Sequence, residues 1–247
     1  MSNHKYRILC TRPLADQLIK VADAKGLMID VKHFIQIKPL INQRLLGAEN
    51  MATVFAPGAI QVFTSAHAVT TLEHCYLNQE DTHYVIENAQ ICCISGNTRN
   101  QAERVFKNAT ILADAAYGKD LAKAIIALPD IKAVNFFCGN QRRNELPDTL
   151  TQAGITINEF VIYENIPTPE VSDITYDGIL FFSPSAVKSF FSANRIPSST
   201  VCFAIGTTTA EALQTFTDNK IISSTDTSEE SMVHTAIFYF NNINCYE

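Results

Sequence analysis

The sequence predicts an α/β protein built from two similar parallel-sheet lobes, and three observations carry that prediction. Short apolar runs alternate with amphipathic stretches along the 247 residues, the pattern of βα units on a parallel sheet. Marker residues of the first half return in the second in the same order. Hydroxyl residues recur where strands should give way to helices. With 47% hydrophobic residues the chain can bury a full core, and its length suits two lobes of about 120 residues.

The apolar runs predict ten strands, five in each half: Arg7 to Cys10, Val31 to Ile37, Ile60 to Thr64, Gln90 to Ser95, Thr110 to Leu112, Ala133 to Cys138, Asn158 to Glu164, Gly178 to Phe182, Thr200 to Ile205 and Lys220 to Ile222. Between them the punctuation has physical meaning. Gly26 and Gly154 stand where a helix must end in the left-handed conformation before a new strand. Ser183 before Pro184 is an N-cap hydroxyl followed by a proline at the first helical position, where no amide donor is lost. Thr98-x-x-Gln101 and Thr208-x-x-Glu211 read as capping boxes, each opening a helix after a glycine turn.

Self-comparison sharpens the duplication. Cys10, Gly26 and Pro39 match Cys138, Gly154 and Pro167, each pair 128 residues apart. Phe63-Thr64-Ser65-Ala66-His67-Ala68-Val69 then echoes Phe181-Phe182-Ser183-Pro184-Ser185-Ala186-Val187 at an offset of 118, and Cys92, Gly96 and Thr98 match Cys202, Gly206 and Thr208 at 110. The falling offset means shorter loops in the second half.

Composition excludes several function classes. No apolar run approaches the roughly 18 residues needed to span a bilayer, and Met1 to Leu9 carries no signal-peptide core, so a cytoplasmic protein is expected. Seven cysteines include no C-x-x-C pair, and six histidines lack zinc-hydrolase spacing; no metal is expected. A formal charge of -6 without a basic block argues against nucleic acid as a partner. There is no G-x-G-x-x-G, no Walker sequence and no nucleophile elbow.

What remains is a set of hydroxyls. Ligands of open parallel sheets bind outside the carboxyl ends of the strands, where helix N-termini present free amides and positive dipole. Ser65, Thr98, Ser183, Ser185, Thr207 and Thr208 all fall there and together suit a carboxylate or phosphate; singly, each also reads as a plain helix cap. Arg12, Arg142 and Arg143 follow the first and sixth strands. Tyr163 stands near the end of the seventh, just before Ile166-Pro167. The residues alone therefore allow a catalyst or a non-catalytic bilobal binder of a polycarboxylate or phosphate ligand.

Six segments taken in order resemble the uroporphyrinogen-III synthase family: Ile8-Leu9-Cys10-Thr11-Arg12-Pro13; Phe63 to Val69 as quoted above; Gly139-Asn140-Gln141-Arg142-Arg143-Asn144-Glu145-Leu146-Pro147; Gly154 leading to Val161-Ile162-Tyr163; Phe182-Ser183-Pro184-Ser185-Ala186-Val187; and Ile205-Gly206-Thr207-Thr208-Thr209-Ala210-Glu211-Ala212-Leu213. The resemblance covers nearly the whole chain. It implies two flavodoxin-like lobes (the HemD-like fold), residues 1–37 with 167–247 forming one and 38–166 the other, joined by connector strands at about 31–39 and 160–167. It further implies a monomer whose cleft holds hydroxymethylbilane, a linear tetrapyrrole, with no cofactor. The family reaction expels the bilane hydroxyl, passes through a spiro intermediate and closes the ring with ring D inverted. By the same resemblance Tyr163 assists departure of the hydroxyl, while Ser65, Thr98, Arg12, Arg143, Ser183, Ser185, Thr207 and Thr208 bind substrate. Two positions depart from the family pattern. Thr207 replaces a usual proline, and in Gly96-Asn97-Thr98-Arg99 the threonine comes one place early, leaving Thr98 or Arg99 at the first-lobe ligand position.

Overall fold

Apolar runs of four to seven residues, laid side by side, leave alternate side chains for helices on the two faces of a sheet. The computed structural model, which describes residues 5–77 and 88–242, has eleven strands among them: β1 (Tyr6–Cys10), β2 (Leu27–Val31), β3 (Ile35–Pro39), β4 (Ile60–Phe63), β5 (Gln90–Ile94), β6 (Thr110–Ala115), β7 (Ala133–Gly139), β8 (Thr156–Pro167), β9 (Gly178–Phe181), β10 (Val201–Ala204) and β11 (Ile221–Ser223). The α-helices are α1 (Asp16–Ala24), α2 (Ala48–Val54), α3 (Ala66–Leu72), α4 (Asn97–Val105), α5 (Gly118–Ile126), α6 (Glu145–Gln152), α7 (Pro184–Ala193), α8 (Thr207–Gln214) and α9 (Glu229–Asn241).

The chain divides into two compact units. The described parts of Met1–Gln36 and Ile166–Glu247 form the first, and those of Ile37–Asn165 the second. The first holds a five-stranded sheet of order β11-β10-β9-β1-β2; the other sheet runs β3-β8-β7-β4-β5-β6. Apart from the β3–β8 pairing, every neighbouring pair is parallel. Read as β11-β10-β9-β1-β2 and β6-β5-β4-β7-β8, the two orders are the same doubly wound arrangement. Each half of the sequence has thus sent its first two strands to the sheet of the other half. The chain passes between the units along β3 and β8, where Thr168 N donates to Phe34 O (3.0 Å) and Leu40 N to Ile162 O (2.9 Å). Numbers rise along one strand as they fall along the other, so this pairing is antiparallel.

Alternation along the central strands builds a core on both faces of each sheet. Phe63 packs with α3 and α4 in one cluster while its neighbour Val62 packs with α5 and α6 in another. In the first unit Leu180 joins α1 and α9, whereas Ile179 and Phe181 join α7 and α8. Three phenylalanines on adjacent strands, Phe63, Phe137 and Phe160, stack at 5.2 Å between successive ring centres. Burying each contributes roughly 1.5–3 kcal/mol.

Local signals in the sequence agree with this geometry at several points. Gly26 and Gly154 have φ of +82° and +79°, the left-handed conformation that closes a helix. Ser183 caps α7 by accepting from Ala186 N, with Pro184 following it. Cys10, Cys92, Cys138 and Cys202 are buried free thiols whose pKa desolvation pushes up to about 12, so they remain protonated and inert; Cys245 lies outside the described residues.

Three expectations are corrected. The predicted strand Val31 to Ile37 is two strands, β2 and β3, placed in different sheets. The break falls at Phe34, which is fully buried and packs edge-on against Phe190 at 5.2 Å, so the chain must leave its first sheet there. The connector strand is accordingly Ile35–Pro39 and not Val31 to Pro39, and its partner β8 begins at Thr156. Thr98 and Thr208 do not cap helices. The carbonyls of Gly96 and Gly206 accept the first helical bonds, from Asn100 N and Ala210 N at 3.0 Å each. The glycines are therefore the N-caps, and each threonine is the second residue inside its helix.

Candidate active site

In a doubly wound sheet the crevice opens where the chain direction of the crossovers reverses. Here that point lies between β7 and β4 in the second unit and between β1 and β9 in the first. The candidate residues cluster around both points. Across the adjacent strands β5-β4-β7-β8 the carboxyl ends lead to Thr98, Ser65, Arg142 with Arg143, and Tyr163. Across β10-β9-β1 they lead to Thr207 and Thr208, Ser183 and Ser185, and Arg12.

Tyr163 is the most constrained of these. β7 and β8 pair in simple register from Ala133↔Thr156 to Cys138↔Val161, after which the register slips and Gly139 faces Tyr163. That bulge inserts one extra residue on β8, and a bulge re-aims the side chain that follows it. Tyr163 consequently lies on the same face as Phe137 and Phe160, above α3, in a site that leaves it 8% exposed. Its ring meets His67 edge-on at 6.0 Å. Burial raises the phenol pKa above its ordinary 10.0, with nearby Ser65 opposing the shift. At neutral pH the phenol is therefore a proton and hydrogen-bond donor.

Ser65 caps α3 by accepting from His67 N at 3.2 Å. Thr98 is buried, 6% exposed, in the first turn of α4. Arg99 turns away to Asp114 on β6 and to Glu103, both at 2.8 Å, and Asp114 also accepts from Ser95 at 2.7 Å. Those two carboxylates occupy its guanidinium.

In the first unit Ser183 caps α7, and its hydroxyl lies 3.1 Å from that of Ser185. Thr207 and Thr208 open α8 next to them, Thr207 exposed and Thr208 half-buried. Arg12 lies over Phe182, its guanidinium carbon 4.4 Å from the ring centre, and pairs with Glu229 at the start of α9. Arg142 is held on β8 by Glu159 at 2.6 Å, which leaves exposed Arg143 as the arginine turned to solvent after β7.

Reading the sequence missed three participants. Glu229, 217 residues from Arg12, gives no local signal. His67 stands where the repeat has Ser185, a difference visible in the aligned motifs. Gly139 directly ends a buried strand, yet its importance rests on the bulge.

The fold and these residues define a class: a duplicated, doubly wound α/β protein with hydroxyls at the strand ends of each unit and a buried tyrosine beside those of the second. A family model described as uroporphyrinogen-III synthase HemD matches residues 34–234. The chain belongs to the uroporphyrinogen-III synthase family, lyases of tetrapyrrole biosynthesis. It is similar to the uroporphyrinogen-III synthase of Chlorobaculum parvum (strain DSM 263 / NCIMB 8327), 27% identical over 225 residues that cover 84% of this chain and 88% of the relative. In structure it resembles uroporphyrinogen-III synthetase of Helicobacter pylori 26695, with a TM-score of 0.67, 16% identity and coverage of 94% of this chain and 99% of that one. A mutant uroporphyrinogen III synthase of the extremely thermophilic bacterium Thermus thermophilus gives 0.64 at 13% identity, covering 98% and 100%. Among the described residues no helix is long and apolar enough to cross a membrane.

Proposed function

We propose that the chain cyclises hydroxymethylbilane with loss of water and inversion of ring D, and that Tyr163 donates a hydrogen bond or proton to the departing hydroxyl. The observation that carries the assignment to Tyr163 is its buried side chain at the carboxyl end of β8, against α3 and the His67 ring. A leaving hydroxide needs a donor, and a phenol whose pKa lies above 10 keeps its proton throughout the neutral range.

The substrate carries eight carboxylates, and both units supply groups that suit them. Ser65 and Thr98 in the second unit, and Ser183, Ser185, Thr207 and Thr208 in the first, stand at the N-caps or in the first turns of helices, where free amides and the helix dipole favour negative charge. Arg143 adds positive charge at the end of β7, and Arg12, held by Glu229, offers its remaining donors at the end of β1. The bilane closes without help to the uninverted isomer, so the enzyme's task is to hold one geometry around a reactive cation. This accounts for a site of hydroxyls, amides and one phenol. The chain acts as a monomer in the cytoplasm.

The experiment is to supply hydroxymethylbilane and resolve the product isomers. Type III at a rate above the uncatalysed one is expected; type I alone at the uncatalysed rate would sink the proposal. Tyr163→Phe should lower kcat by a factor on the order of ten to a thousand, as loss of general-acid help does. An unchanged rate removes Tyr163 from the mechanism.

A further inference from the structure

We infer that Gly139 is the positioning residue that fixes the Tyr163 ring, and that the Gly139–bulge pair is what confines the phenol donor to one of the two duplicated units; the inference rests on the role of Tyr163 proposed above. A Cβ built on Gly139 would lie 2.4 Å from Tyr163 Cε2, 2.5 Å from Cζ and 2.9 Å from Cδ2. Carbon atoms in contact rest at about 3.5–4.0 Å, so any side chain at this position drives the ring back by about 1 Å. The ring can occupy its place against α3 and His67 only because residue 139 has no side chain.

The approach is specific to this pair. Gly139 ends the strand after Phe137-Cys138, and Asn140 N donates to Tyr163 O at 3.1 Å, so the backbones on both sides of the contact are tied together and the ring cannot gain room by strand separation. Without the register slip after Cys138, Gly139 would face Ile162, and Tyr163 would point to the opposite face of the sheet, away from Ser65. Gly139 and the bulge thus act jointly, the bulge by aiming the side chain and the glycine by making room for it.

The duplication supplies the contrast. At the repeat offset of 128 residues the counterpart of Gly139 is Thr11. Thr11 is buried and uses its own side chain, Oγ1 donating to Leu180 O at 2.8 Å. Strands β1 and β2 pair from Tyr6↔Leu27 to Cys10↔Val31 without a register slip. The first unit therefore has a β-branched residue and a regular ladder where the second has a glycine and a bulge. Only the second accepts an aromatic ring over the strand end.

Four full-length proteins test this: wild type, Gly139→Ala, Tyr163→Phe and the double variant, each assayed for kcat and KM on hydroxymethylbilane. Gly139→Ala should lower kcat on the order of ten- to a hundredfold, the cost of misplacing a reacting group by about 1 Å, with KM changed far less. In the Tyr163→Phe background the same substitution should alter kcat by less than about twofold, because no hydroxyl is left to misplace. Equal losses in both backgrounds, or no loss in the wild-type background, overturn the inference. A silent Tyr163→Phe instead overturns the role of Tyr163 itself, so the two failures are distinct. Should Gly139→Ala fold poorly, its effect on melting temperature is read in a Tyr163→Ala background. There the added methyl should leave the melting temperature unchanged or raise it, and a fall overturns the proposed contact.

Discussion

Ser65 and Ser183 occupy equivalent places in the two units, which makes each a control for the other. Both cap a helix: Ser65 Oγ accepts from His67 N at 3.2 Å, and Ser183 Oγ from Ala186 N at 3.1 Å. Replacing either with alanine removes a cap worth about 1 kcal/mol. Ser65 alone also stands beside the hydroxyl of Tyr163, a residue 8% exposed, and lowers its pKa. Ser65→Ala and Ser183→Ala should therefore each destabilise by about 1 kcal/mol. At about 2–4 °C per kcal/mol for a chain of this size, each melting temperature should fall by roughly 2–4 °C. Thermal unfolding followed by circular dichroism in one buffer measures both. Ultraviolet titration separates them: because Ser65 lowers the Tyr163 pKa, its loss should move that tyrosine to still higher pH, whereas Ser183→Ala should leave it in place. An unchanged tyrosine titration in Ser65→Ala would refute the view that Ser65 supports Tyr163.

Further expectations concern charge and backbone. The Tyr163 pKa is raised, so the stability tied to its neutral form is fully present below about pH 10, the unfolded value, and is lost as pH rises through the folded value; the Tyr163-dependent part of the rate should follow the same limb in a pH profile. Glu73 is the opposite case. Its hydrogen bond to Arg104, at 2.5–2.8 Å, holds its pKa below the ordinary 4.5, so that contribution is present above the ordinary value and lost as pH falls through the folded one. Arg104→Gln should return the Glu73 titration, followed by NMR, toward the ordinary value. Arg99→Thr breaks only half-exposed pairs with Glu103 and Asp114 and should cost no more than about 1 kcal/mol with the isomer ratio unchanged; a switch to type I product would restore Arg99 to the ligand position. Gly154→Ala, at a φ of +79°, should lower stability by about 1–2 kcal/mol in chemical denaturation.

Several features were legible because their causes are local. A hydroxyl that caps a helix bonds an amide two or three residues on, so Ser65 and Ser183 announce themselves in sequence. The left-handed turns at Gly26 and Gly154 depend on one residue each. Alternating apolar and amphipathic runs imply βα units, and βα units place helix-opening hydroxyls at strand ends, which is why the positions of these hydroxyls were legible. The capping-box expectation failed for a related reason. Thr98 and Thr208 have the right neighbours, but Gly96 and Gly206 had already opened those helices just before them, and a glycine carbonyl leaves no side-chain pattern to read.

Arginine partners were not legible at all. Arg12 finds Glu229 across 217 residues, and Arg142 finds Glu159 across 17, because tertiary packing and not spacing brings each carboxylate near. The sequence by itself determined the repeated βα pattern, the glycine stops and the capping hydroxyls, all of which are settled within a few residues of chain. Only the tertiary structure decided that Phe34 splits one predicted strand in two, that each half exchanges its leading strands, and that a slip after Cys138 turns Tyr163 over Gly139 toward Ser65. Register is a property of two strands at once, and a shift of one residue carries a side chain to the other face of the sheet. The face that Tyr163 occupies is thus written in how β7 and β8 pair, which neither segment specifies alone.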